Sequence, residues 1–345
     1  MPVIILTFEV LTPMFLAGAD TRQPELRGPA IKGALRFWWR AIHGADPQLP
    51  QKEGAIFGLT GEGGRKSRLI LRTEGEDIAP YITTEPLPRA DYLLYRVKEK
   101  GHDLNILEYM AYGTYTYDKN TKKNVLDRGY IKSGYTFRLV IQMRNNGYLS
   151  EVIRALQYFC WFGGLGAKSR NGFGSLKVRA IDGDLPDATR ESLISLPGQN
   201  SLAPFNNVQE LPHFSALSGG ARLFKTRRDY KTWDACLGEL GHAYRNSRLS
   251  LEPAHSYQQR QYIGAPLIVN KVQKSRLDRH AKPYFLRVHE CQGRYSGYLL
   301  YLPSHYCTGL AGTRPDLDPA REDAGFTMAC LAMNKELTQH LEVVY

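Results

Sequence analysis

The sequence predicts an α+β protein made of two ferredoxin-like units with insertions. Three observations carry this. A β-rich opening segment runs into an amphipathic helix, the next elements continue in the order β-α-β-β-α-β, and similar elements recur in similar order after a stretch rich in Pro, Ser, Asn and Gly. With 345 residues and ordinary hydrophobic content, the chain is long enough to bury two cores.

Val3 to Leu11 reads as the first strand, being dense in Val, Ile, Leu and Phe. The segment from Pro24 to His43 reads as a helix with Pro29 in its first turn, and Ile31, Leu35, Trp38 and Ile42 recur at helical spacing to form a core-facing stripe. Trp38 and Trp39 are read as packing residues. Further strands are expected at Arg68 to Thr73, Tyr92 to Val97 and Thr136 to Met143, then a helix at Leu149 to Phe162 and a strand at Ser175 to Ile181. These elements make up a first unit over residues 1–182, with an insertion at about 101–135. The insertion interleaves Tyr109, Tyr112, Tyr115, Tyr117, Tyr130 and Tyr135 with Lys119, Lys122, Lys123, Arg128 and Lys132, a pattern suited to base stacking, to a protein interface or simply to packing.

Residues 183–212 read as a linker. The second unit, 213–345, is expected to hold a helix at Tyr230 to Asn246, strands at Tyr284 to Glu290 and Arg294 to Leu302, and a final helix from about Pro319 to Leu341. Its approach to the first of these strands is basic: Lys271, Lys274, Arg276, Arg279, His280 and Lys282 stand against one carboxylate, Asp278.

Charge is concentrated in two places in the first unit. The loop Phe162 to Ser175 holds five glycines, Lys168 and Arg170, and no acid occurs from Val152 to Ile181. Glycines let backbone N–H groups approach an anion, the two cations supply charge, and Phe162 or Phe173 could offer a ring to a base. On the first helix, Lys32, Arg36, Arg40 and His43 fall within one arc of roughly 80°, with no acid in the helix to pair with them. Asp20 and Glu25 nearby suit Arg22 and Arg27 as partners better than they suit a metal. The formal net charge of +11 implies a field that attracts polyanions.

Other classes of function find little support. No run of apolar residues is long enough to span a membrane, Met1 to Thr12 resembles a strand rather than a leader, and a cytoplasmic location without a membrane partner is expected. Five cysteines form no CxxC pair, so reduced thiols are expected and no metal site or cofactor is assigned. The Ala167-Lys168-Ser169 segment lacks the glycines of a Walker A loop.

Four segments taken together resemble a known family: Thr12 to Ala19, Glu25 to Arg40 with its Leu-Arg-Phe-Trp-Trp-Arg ending, Glu53 to Gly58, and Gly164 to Ser175. The chain resembles the RAMP superfamily of CRISPR proteins, and within it the first-named subunits of the type III-B Cmr effector complex. The likeness is dense over the first 175 residues and looser beyond them, where Ser275 to Phe285 carries it. The resemblance implies paired ferredoxin-like folds, the arrangement of RNA-recognition modules, and an RNA-binding structural subunit that assembles with other Cmr subunits. Its partners would be the 3′ region of the guide RNA (crRNA) and the guide-target duplex with target RNA. One departure is Gly28-Pro29-Ala30 at the helix start, where relatives commonly carry a serine.

The RNA-binding residues expected are Arg27, Lys32, Arg36, Arg40, Gly164, Gly166, Lys168, Ser169, Arg170, Lys274, Arg276 and Arg279. They would hold phosphates and leave sequence to base pairing. Two alternatives compete with a non-catalytic role. Some RAMP proteins are metal-independent ribonucleases that process precursor guide RNA, for which His43 is the candidate base; a protein-only assembly scaffold would account for the tyrosines but not for the charge.

Overall fold

The computed structural model describes residues 2–61, 63–97, 101–144, 146–183, 185–251, 257–269, 271–307 and 316–345. In the first unit, β1 (Val3–Val10), β2 (Leu69–Gly75), β3 (Thr136–Met143) and β4 (Leu176–Gly183) form one antiparallel sheet in the order β4-β1-β3-β2. With α1 (Gly28–Ile42) following β1 and α3 (Leu149–Phe162) following β3, this is the ferredoxin-like order. The short helix α2 (Leu49–Phe57) lies between α1 and β2.

Period-two burial sets the sheet. Ile4, Leu6, Phe8 and Val10 of β1 point inward, and α1 answers with Ile31, Leu35, Trp38 and Trp39, all at most 2 % exposed. Each such side chain contributes roughly 1.5–3 kcal/mol of burial. Both tryptophans are packing residues, as their spacing predicts.

The second unit repeats the plan. Here β5 (Arg222–Lys225), α4 (Trp233–Ser250), β6 (Tyr284–Cys291), β7 (Arg294–Tyr301), α5 (Pro319–His340) and β8 (Glu342–Val343) give an antiparallel sheet in the order β6-β7-β5-β8. That is the first sheet's order read from the other edge. The sequence reading finds α4, β6, β7 and α5 but not the two short strands, whose four and two residues carry too little periodicity.

Two expectations differ from what is observed, and a third, left open, is decided in part. Tyr92 to Val97 does not join the central sheet: only Leu94–Val97 is strand, and it pairs with His102–Asn105 in a separate hairpin. Residues 183–212 are not a loose tether, because Leu193, Leu202 and Phe205 are buried in the first core, and Tyr158 and Trp161 donate to the carbonyls of Ser201 and Ser195 at 2.6 and 2.9 Å. The tyrosine-rich insertion is partly a packing element. Tyr130 and Tyr135 are buried, while Tyr112 and Tyr117 stay 74 % and 56 % exposed.

The insertion also crosses to the second unit. Ile106 and Met110 join the core around α4, together with Leu93 from the segment before the insertion. The approach is close, since a Cβ at Gly241 would stand 2.7 Å from the Ile106 side chain and one at Gly238 2.6 Å from that of Leu93. Among the described residues no helix is long and apolar enough to cross a membrane.

Candidate nucleic-acid interface

The glycine loop leaves the C-terminal end of α3 and returns as β4, and its stem is bound firmly into the fold. The Leu165 amide donates to the Gly174 carbonyl (3.0 Å), Gly174 to Pro13 (2.9 Å) and Ala167 to Phe15 (2.9 Å). Thr12 Oγ1 donates to the Gly172 carbonyl (2.8 Å) and accepts from the Ser175 amide (2.9 Å). Gly166 is needed here: its φ is +86°, and an added Cβ would lie 2.5 Å from the Phe15 carbonyl oxygen. Phe162 and Phe173 do not offer faces to a base. Both are buried, and Phe173 packs edge-on against Phe15 at 5.4 Å.

The tip differs. Lys168 adopts a left-handed φ of +62°, and the Asn171 and Gly172 amides turn back to the carbonyls of Lys168 and Ser169 (2.7 and 3.1 Å). The amides of Lys168, Ser169 and Arg170 donate to no acceptor among the described residues. Successive N–H groups that find no acceptor among the described residues, on a turn that carries two cations, are the elements from which anion-binding concavities are built. Lys168 is half-buried, and burial, reinforced by Arg128, lowers its pKa from the ordinary lysine value.

Arg170 joins the two units. Its Nη1 donates to the Lys282 carbonyl (2.6 Å), its carbonyl accepts from the Leu286 amide (3.0 Å), and its guanidinium lies over Phe285 at 4.4 Å and Phe37 at 5.4 Å. Burial pulls its pKa down to about 10, so it stays charged at neutral pH. Between α1 and the loop lies a cleft of about 140 Å³, lined by Ala34, Phe37, Trp38, Gly164, Ser169 and Arg170.

The stripe on α1 proves less open. No acid lies in the helix itself, but the buried Glu53 of α2 reaches both arginines: Arg40 donates from Nε and Nη2 (2.7 Å each), and Arg36 donates from Nε. Burial pushes the Glu53 carboxyl up, yet bonds from Arg40 and Arg36 outweigh it and hold the pKa below the usual glutamate value. Two guanidinium groups therefore share one carboxylate. Lys32 lies on the same helix with its pKa lowered by burial and by Arg36, and Arg27 pairs with Glu25 at 3.1 Å.

His43 is not in an acid-free setting. Its ring stacks on Trp39 at 4.6 Å with Nε2 3.7 Å from Glu151, and Asp46 also acts on it. Burial outweighs these carboxylates and lowers its pKa, so the imidazole is neutral at pH 7. It sits beside the start of α3, eleven residues or roughly 16 Å of helix from the glycine loop at the other end.

In the second unit Lys274 and Arg279 are exposed, whereas Arg276 binds Glu322, a carboxylate 1 % exposed that also accepts from Tyr262 Oη (3.0 Å). Two side chains escaped notice as individual site residues. Lys282 faces the loop tip, and Arg287 is buried with Nη2 donating to the carbonyls of Cys160 (3.2 Å) and Leu176 (2.5 Å), which ties β6 to the first unit. An arginine inside an otherwise apolar strand, Tyr284-Phe-Leu-Arg-Val288, is the signal that would have found the latter.

Residues 7–177 match the family model of the RAMP superfamily. The chain is 29 % identical over 192 residues to the CRISPR system Cmr subunit Cmr1-2 of Pyrococcus furiosus, an alignment covering 51 % of this chain and 95 % of that protein. It is 28 % identical over 176 residues to Cmr1-1 of the same organism, covering 49 % of this chain and 46 % of that one. The crystal structure of apo Cmr1 from P. furiosus superposes with a TM-score of 0.53 at 21 % identity, covering 89 % of each chain. A chain in the cryo-EM structure of the type III-B Cmr-beta complex bound to cognate target RNA and AMPPnP, in the presence of ssDNA, gives 0.51 at 11 % identity, covering 96 % of this chain and 99 % of that one. At those identities the superpositions speak for the fold alone. Sequence motifs, sheet order and family model agree that residues 7–177 of this chain form a unit of the RAMP superfamily.

Proposed function

We propose that the chain is a non-catalytic, RNA-holding subunit of a cytoplasmic type III-B CRISPR (Cmr) RNA-targeting assembly, with guide RNA, target RNA and other Cmr subunits as its partners. The observation that carries this reading is the loop tip, where the Lys168, Ser169 and Arg170 amides lack internal acceptors beside two cations. Such a tip binds backbone phosphate without reading bases, which suits a protein that must accept many guide sequences. Lys32, Arg36, Arg40 and Arg27 extend the basic track along α1, and Lys274 and Arg279 add exposed charge on the second unit. Residues 1–182 and 213–345 act as the two RAMP units, with 183–212 packed on the first. A ribonuclease built on His43 gains no support from the position of that residue beside Glu151, at the far end of α3 from the glycine loop, although a neutral imidazole is the form that a general base needs.

The test is retention of labelled single-stranded RNA by the purified chain in a metal chelator, with fragment size followed in parallel. Retention without cleavage that weakens with salt and with Lys168→Ala is expected. Cleavage at a defined position that disappears in His43→Ala would overturn the non-catalytic reading.

A further inference from the structure

The loop tip faces groups of the second unit that leave the local charge unbalanced. Lys282, on the approach to β6, has a buried ammonium without a hydrogen-bond partner, 4.1 Å above the Tyr244 ring of α4. Lys168 and Arg170 of the loop and Arg248 of α4 all act on it, and no carboxylate does. Two residues earlier, His280 has a buried Nδ1 that is also without a partner, with its ring against Tyr306 and Phe326. From the insertion, Tyr109 Oη accepts from Arg248 (3.2 Å), and Arg128 acts on Lys168.

Buried polar groups are almost always hydrogen-bonded, and an ammonium buried among like charges destabilises the fold. A methionine would fill the Lys282 position without that penalty. Lys168, Arg170 and Lys282 come from two separate stretches of chain, and among the described residues no carboxylate acts on any of the three. The amides of Lys168, Ser169 and Arg170, which find no acceptor among the described residues, add donors from the same loop tip, and several donors together favour phosphate oxygens over a protein carboxylate.

We propose that Lys168, Arg170 and Lys282 line a phosphodiester site at the junction of the glycine loop and the second unit, where one phosphate of a bound RNA strand bridges the two units. The site rests on the RNA-holding reading and adds to it a second-unit residue. In the free protein, burial first and then Arg170, Arg248 and Lys168 hold the Lys282 pKa well below its ordinary value. An entering phosphate reverses that balance, so binding draws a proton onto Lys282 and strengthens as pH falls through the lysine range. His280, held near 4 by burial and Arg170, has the same sign but titrates well below that range.

The experiment is calorimetry of the intact chain with a short single-stranded oligoribonucleotide, at mildly alkaline pH, in two buffers of different ionisation enthalpy. Wild type, Lys282→Met and His280→Gln are compared, with inorganic phosphate as a second titrant. Wild type should take up about one proton on binding RNA. Lys282→Met should bind about tenfold more weakly with no uptake, and should melt at a higher temperature than wild type, which shows that it folds. His280→Gln should keep the uptake. RNA binding without proton uptake, or with uptake unchanged in Lys282→Met, would overturn the site and leave the RNA-holding reading standing. Uptake with inorganic phosphate but not with RNA would refute the phosphodiester assignment, and no RNA binding at all would remove both readings.

Discussion

The basic stripe of α1 and the tip of the glycine loop look alike as sequence and differ as chemistry. Each presents cations in an acid-free stretch of chain. In the fold, Arg36 and Arg40 converge on the buried carboxylate of Glu53, whereas among the described residues no carboxylate acts on Lys168, Arg170 or Lys282. Two cations sharing one anion serve first to hold α2 against α1. Cations left without an anion are poised for a ligand, so local charge balance separates scaffold from interface better than cation count does.

The comparison predicts the largest effect at the loop. Lys168→Ala should lower RNA affinity by about tenfold and reduce the slope of log affinity against log salt by about 1. An unchanged slope, measured by retention across a salt series, would take Lys168 off the phosphate track. The α1 arginines sharpen the contrast from the other side. Glu53→Gln should cost about 1–2 kcal/mol of stability in denaturant unfolding at pH 7, while RNA retention rises because two guanidinium groups lose their counterion. Since the Glu53 pKa is depressed in the fold, its contribution is full above the ordinary glutamate value and fades as pH falls through the folded value, so the stability difference should shrink in acid. A difference that persists there would mean that the glutamine acts through packing.

Smaller effects are expected further along the helix. Arg36→Ala should weaken RNA retention only about two- to threefold, less than Lys168→Ala, because the charge removed was already half-neutralised. An equal loss at both positions would break the comparison. His43→Ala should leave RNA retention and RNA integrity unchanged, and retention should show no inflection between pH 7 and 8 that depends on His43, whose pKa lies below the ordinary histidine value.

Much of the fold was legible because it rests on local period. The segment Thr136 to Met143 and the helix Leu149 to Phe162 are read to the residue, and the Ile31, Leu35, Trp38 and Ile42 stripe is buried as its spacing requires. What escaped depends on partners distant in sequence. Glu53 lies 13 residues beyond Arg40 on another helix, and nothing in either segment alone shows that they meet. Lys282 was visible only as one of several cations, since its isolation from acid comes from Lys168, Arg170 and Arg248 arriving from elsewhere. The role of the insertion stayed open because burial of Tyr130 and exposure of Tyr112 depend on what each packs against in the fold, not on the Tyr-Lys pattern that they share.

The most direct test of the loop tip as the phosphate-holding element is amide hydrogen exchange of the intact chain with and without single-stranded RNA. The amides of Lys168, Ser169 and Arg170, which find no acceptor among the described residues, should slow by at least about tenfold on RNA binding. Those of Leu165, Ala167 and Gly174, already bonded to carbonyls, should change little. RNA binding that leaves the tip amides exchanging freely while protecting α1 or the second unit would contradict the account.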